Sequence, residues 1–345
     1  MRKLLLLLSV LLLFALPALA EGIPGMVDMT HLTELKDKEV PALVEKLNAT
    51  KLVQACDLRG VKLSREAQLK LLDGCPHVDF YWEVDVNKSA VDNHVTHLNL
   101  DQLPNKVGYK KFKDMLRCFS NLEEITMFSY RYSLKEMESI FAEFPQIEFH
   151  WTIRLDSYLI PNDATAFSTN KGRREPRYTP QQLRALSYCK NLVALDVGHN
   201  NVSDLSFLTQ WPGLRIFICV DSRTPVKDIS PLKDMHDLEY VELFMQNITD
   251  ISALEGKTKL LDLNLCYNDI TDLTPLHSCV NLQRLWISNN RHLPQEQIDA
   301  LQAALPNLVI ETKTKKSTEA GWREHPRYFT MRESFESHYY VPFAE

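Results

Sequence analysis

Leucine spacing constrains this chain more than any other feature. Leucines recur at 192, 214, 238, 260 and 282, in steps of 22, 24, 22 and 22 residues, and the copy at Leu260 repeats the first almost position for position. Leu263, Leu265, Asn268, Ile270, Asp272, Leu273 and Leu276 stand where Leu195, Val197, Asn200, Val202, Asp204, Leu205 and Leu208 stand in the first copy. A unit of this length holds one strand and one return segment, too little to enclose its own apolar face, so successive units must stack into a shared core. The second copy absorbs its two extra residues around Ser222 to Pro225, and the fifth lengthens to 26 and ends at Leu308. Asn200, Asn268 and Asn290 share one offset, where a side-chain amide can satisfy backbone groups that the turn would otherwise bury unpaired. Ser222 and Gln246 depart from it, which predicts two looser turns.

Over residues 192–292 this unit resembles the leucine-rich repeat family, specifically the bacterial internalin class, whose repeat reads L-x-x-L-x-L-x-x-N-x-I-x-D-I-x-x-L. The resemblance implies an α/β solenoid with a parallel concave β-sheet and helical or 3-10 return segments on the convex side. It also implies a concave face that binds another protein.

A longer period lies upstream. Leu52, Leu122 and Leu192 fall 70 residues apart and each opens a strand-like segment. Two further strands, at Val78-Phe80-Trp82-Val84 and Ile147-Phe149-Trp151-Ile153, match with an offset of 69, each alternating with period two after a helix-like run. Residues 51–191 are therefore expected to form longer, irregular leucine-rich turns continuous with the regular repeats of 192–311. A separate, unrelated domain is the alternative, and the basic stretch from Lys171 to Arg177 is the weakest point of the continuous reading.

The ends read differently. Residues 1–20 combine Arg2 and Lys3, an apolar run from Leu4 to Leu16, and Ala18-Leu19-Ala20, the layout of a secretory signal peptide. Without Arg2 and Lys3 the remainder carries 37 basic against 45 acidic residues, a net of −8, which makes nucleic acid and anionic membrane poor partners. No later stretch is apolar enough to insert in a membrane. A secreted location, extracellular or in the cell envelope, follows. Residues 21–50 are expected to form an N-terminal helical cap. Residues 312–345 comprise a polar linker and then seven aromatic residues between Trp322 and Phe343, too many for a disordered tail. That segment is expected to cap the open apolar end of the solenoid. Binding of a partner is its alternative role.

Catalytic chemistry is not apparent in the sequence. There is no HExxH, GxSxG, P-loop or GxGxxG motif and no Cys/His metal spacing, so neither a metal nor a cofactor is expected, and no enzyme activity. Asp204, Asp228, Asp250 and Asp272 form a column, but each precedes an apolar residue of the return segment, where a short carboxylate serves as a turn cap. The seven cysteines are odd in number; Cys189 and Cys279 are four repeats apart, about 19 Å at ~4.8 Å per strand, so they cannot bond to each other. Buried free thiols are the expectation for most of the set.

Strand alternation sets the candidate binding surface. The outward positions of repeats two to five include Ile216, Ile218, Tyr240, Glu242, Phe244, Met245, Asn264, Tyr267, Arg284 and Trp286, an aromatic and apolar patch rimmed by charge, with the composition of an interface hot spot. The competing possibility is that the aromatic tail, or the insertion at 222–225, folds over Ile216, Ile218 and Phe244. Three functions are open at this point: an exported protein-binding module without catalysis, a secreted glycan-binding or carbohydrate-processing protein, and a structural spacer in a cell-surface assembly.

Overall fold

The computed structural model describes residues 25–170 and 177–344. The signal-peptide reading at 1–20 and most of the basic stretch from Lys171 fall outside these residues. The chain divides into two compact units, residues 1–151 and 152–345.

The first unit uses long turns. Strands β1 (Met26–Asp28), β2 (Ala55–Asp57) and β3 (Asp79–Tyr81) form a parallel sheet, β4 (Glu83–Asp85) and β5 (Ala90–Asp92) a hairpin, and β6 (His97–Asn99), β7 (Glu124–Met127) and the start of β8 (Glu148–Leu155) a second parallel sheet. Helices α1 (Val40–Ala49), α2 (Arg65–Gly74), α3 (Tyr109–Leu116) and α4 (Leu134–Glu143) are the return segments. Ser64 caps α2 through Ala67 N–H, and Ser133 with Glu136 forms a capping box on α4. Residues 21–50 contain β1 as well as α1, so the expected helical cap is itself a strand-and-helix turn.

The long period is present, with one error of phase. Leu52 is 82% exposed; Val53 takes the inward position, followed by fully buried Cys56 and Leu58. A strand slipped by one residue reverses its faces, so the repeat begins at 53, not 52. Val78, Phe80, Trp82 and Val84 are buried as expected, as are Ile147, Phe149, Trp151 and Ile153.

The second unit is a solenoid. It opens with a hairpin, β9 (Tyr158–Pro161) running back along the end of β8, and continues as one seven-stranded parallel sheet. The strands of that sheet are β10 (Ala166–Ser168), β11 (Ala194–Asp196), β12 (Ile216–Ile218), β13 (Tyr240–Glu242), β14 (Asp262–Asn264), β15 (Arg284–Trp286) and β16 (Val309–Glu311), adjacent in chain order. Ala194, Ile216, Tyr240, Asp262 and Arg284 are in register across the strands, and so are Asp196, Ile218, Glu242, Asn264 and Trp286. Between these two rows Leu195, Phe217, Val241, Leu263 and Leu285 point inward and are fully buried. A three-residue strand then suffices, because the leucines before it and the residue after it complete the inner layer.

Helix α5 (Pro180–Leu183) precedes β11 and α6 (Gln295–Ala304) precedes β16; between them the return segments are short 3-10 turns, such as Ser206–Gln210 and Thr274–Ser278. Each turn starts beside one of the expected aspartates: Asp204, Asp228, Asp250 and Asp272 accept the amide two residues on through Oδ1, at 2.8–2.9 Å. Before them the chain turns through a residue with positive φ at the same offset in every repeat, His199, Asp221, Met245, Tyr267 and Asn289. The asparagine that follows holds the turn. Asn268 Nδ2 donates to the Leu243 and Leu265 carbonyls while its Oδ1 accepts Ile248 N–H at 3.0 Å, and Asn290 does the same one repeat later. Gln246 does not loosen its turn. Its longer arm reaches the Cys219 carbonyl and Val226 N–H, replacing the asparagine bonds. Ser222, too short for that reach, meets Cys219 Sγ at 3.6 Å. All seven cysteines of the chain are buried and unbridged.

Candidate functional site

The concave face of the second unit is the expected site. Most of its outward side chains do not meet solvent. Ile216, Ile218, Tyr240, Glu242, Phe244, Asn264, Arg284 and Trp286 are all buried, and Tyr267 is partly so; Met245 alone of the ten candidates is exposed. The expectation of a free patch is corrected. Residues 313–344 cover the face, including a 3-10 turn at Trp322–Glu324 and helix α7 (Pro326–Ser337).

This segment is fastened along its length. At its start the carbonyls of Thr314, Lys315 and Ser317 accept from Asn289, Tyr267 and Asn264, so the backbone of the polar linker is docked. Trp286 Nε1 donates to the Glu319 carbonyl at 2.9 Å. Trp322, fully buried, packs 5.5 Å from the Tyr240 ring and 5.2 Å from Trp286, with the Arg284 guanidinium 4.7 Å over its face. Its indole N–H donates to Glu242 Oε1 at 2.9 Å, an oxygen that also accepts the Tyr240 hydroxyl. Five residues on, Arg327 pairs with both oxygens of Asp262 at 2.8 and 2.7 Å, and Arg284 approaches the same carboxylate from its own repeat at 2.8 Å. At the far end the His338 carbonyl accepts the amides of Thr165 and Ala166, and the Tyr340 hydroxyl donates to Glu239.

The electrostatics of the three covered carboxyls differ. Burial pushes the Asp262 carboxyl up, but the two guanidinium groups outweigh it and leave the group below its usual range. Burial raises Glu242 and Asp196, whose hydrogen bonds from Tyr240 and Trp322, and from Ser168 and Gly198, offset it only in part. Among the described residues, no group of three or more His, Cys, Asp or Glu side chains could hold a metal ion.

Residues 258–308 match the family model of leucine-rich repeats in two copies. This stretch is a leucine-rich repeat. An internalin C2 from Listeria monocytogenes is similar at 24% identity over 45% of this chain and 76% of that one, with a TM-score of 0.32. The internalin inlF of the same organism is 15% identical over 82% and 91%, with a TM-score of 0.36. A leucine-rich repeat protein of Leptospira interrogans is 15% identical over 81% and 75%, with a TM-score of 0.35. No curated protein matches the sequence.

Sequence reasoning prefers the aromatic tail on the open end of the leucine-rich repeats and holds its folding over Ile216, Ile218 and Phe244 only as the competing possibility, so it does not single out Trp322, Arg327 and Met331 as the residues that meet the concave face. A signal is nevertheless there. A sheet face carrying Ile216, Ile218, Tyr240, Phe244 and Trp286 side by side exceeds what a free monomer surface normally shows, and a covering segment rich in aromatics lies in the same chain.

Proposed function

We propose that this chain is an exported leucine-rich repeat protein that binds another protein through its concave face without catalysis, its C-terminal segment being the occupant of that face when no partner is bound. One observation carries the reading. The face holds residues 313–344 as a binding surface holds a ligand, by a Trp in an aromatic pocket and an Arg on a carboxylate, the residue types that dominate interface hot spots. The partner on this reading is a polypeptide that presents an aromatic residue and an arginine at the Trp322 to Arg327 spacing. Export rests on the layout of residues 1–20.

The test uses the full-length protein with Trp322→Ala and Arg327→Ala, which weakens the resident segment, and a fluorescent peptide spanning residues 317–344. The double variant should take up the peptide while wild type does not, read by anisotropy. A variant that keeps its cooperative melt yet ignores the peptide would show that the covered face is permanent core and not a binding surface.

A further inference from the structure

Between α7 and the concave sheet lies a half-open cavity of about 370 Å³. Asp196 and Glu242 line it from the sheet, two strands apart in one row, roughly 10 Å between backbones at ~4.8 Å per strand. Phe244 from the sheet and Tyr328, Met331 and Phe335 from the C-terminal segment make its apolar walls. The volume lies in the range of small-molecule pockets, and polar side chains, among them Ser168, Asn170, His199 and His338, line it beside those apolar walls.

The two carboxyls set its chemistry. Asp262, in the same sheet, is given two guanidinium partners, whereas Asp196, among the described residues, accepts Ser168 Oγ at 2.7 Å and Gly198 N–H at 2.8 Å. Among the described residues Glu242 accepts the Tyr240 hydroxyl and the Trp322 indole, both on Oε1. Neither forms an ion pair among the described residues, and both are almost completely buried. Arg323 and Arg332 also line the cavity, but both are exposed, and Arg332 is paired with Glu336 at 2.9 Å. Arg323 acts on Glu242 and His199 on Asp196 only at a distance, without an ion pair among the described residues, so both buried carboxylates stay costly to keep, and a cation delivered into this cavity would relieve that cost.

We infer that this cavity is a binding site for a small organic cation, an ammonium group on an apolar body, with Asp196 and Glu242 as its anionic floor. Burial raises both carboxyls above their ordinary values, and an ammonium between them would bring them back down. Because one wall belongs to the C-terminal segment, an occupied cavity also holds that segment closed. The inference depends on the closed arrangement, not on the face having an outside partner.

Benzylamine, with benzyl alcohol as its neutral counterpart, tests this by calorimetric titration of the full-length protein. Benzylamine should bind saturably at one site and raise the melting temperature, and benzyl alcohol should bind at least tenfold more weakly. Asp196→Asn should weaken benzylamine at least tenfold while melting no earlier than wild type, and Asp204→Asn, in a return-segment turn, should leave it unchanged. Absence of saturable benzylamine binding, equal binding of the alcohol, or unchanged affinity in Asp196→Asn overturns the inference.

Discussion

Trp322→Ala removes the deepest anchor of the C-terminal segment. The indole is fully buried against Tyr240, Trp286 and the Arg284 guanidinium, and its N–H is one of two donors to Glu242 Oε1. Deleting a buried Trp or Phe side chain costs about 3–5 kcal/mol through lost transfer energy and residual cavity. The loss falls first on the docking of residues 313–344, since the repeats keep their own inward leucines. Two amides report on that docking from the opposite end of the segment, Thr165 and Ala166, which donate to the His338 carbonyl at 3.0 Å. At about 1.4 kcal/mol per factor of ten, their hydrogen exchange should accelerate about 100- to several-thousand-fold. The amides of Leu263 and Leu285, inside the repeats, should change far less. Equal acceleration at all four positions would show that segment and sheet open only together, and no acceleration at Thr165 and Ala166 would refute the anchoring role of the indole.

The remaining expectations are narrower. Leu195→Ala and Leu263→Ala, at fully buried inward positions, should each destabilise the second unit by about 2–5 kcal/mol; unchanged urea midpoints in both would refute the register. Glu242 has a raised pKa when folded, so its carboxyl favours folding below its unfolded value near ~4.3 and loses that contribution as pH rises through the folded value. Glu242→Gln should therefore gain on wild type in urea midpoint as pH rises from about 4, and a gap that is flat or narrows would contradict the assignment. Burial pushes the thiols of Cys56, Cys189 and Cys219 up to about 12 and those of Cys266 and Cys279 up to about 11, so the native protein at pH 8 should be inert to a thiol reagent. Denatured without reductant it should titrate seven thiols, and a count of five or fewer would mean that disulfides form.

What can be read from the sequence is whatever the repeat period enforces. A strand, a turn and a return segment in 22 residues leave one register in which Leu195, Leu263, Asn268 and Asp272 all find partners, so inward and outward positions follow from the spacing alone. In the longer turns the period constrains less, and Leu52 stands one residue out of phase; the 69-residue offset of the Trp82 and Trp151 strands already favours Val53. Gln246 looks like a defect because spacing records residue type and not reach. The covered concave face is the largest difference. Periodicity shows that Ile218 and Trp286 point away from the leucine core, but it has no means of showing that Trp322 and Met331 return to meet them.

A stacked sheet whose strands are only three residues long is a weak spring. Each repeat contributes a small rotation relative to its neighbour, and the summed rotation gives the curvature of such a stack. Here the C-terminal segment is tied at β14 and β15 through Asn264 and Trp286, and at the opposite edge through Thr165 and Ala166, so it runs across the curve like a string across a bow. Opening the arc would stretch that string and closing it would crush α7 against the strands. The segment therefore bridges the two edges of the concave surface as well as covering it, and each of its ties constrains the rotation between the repeats it joins.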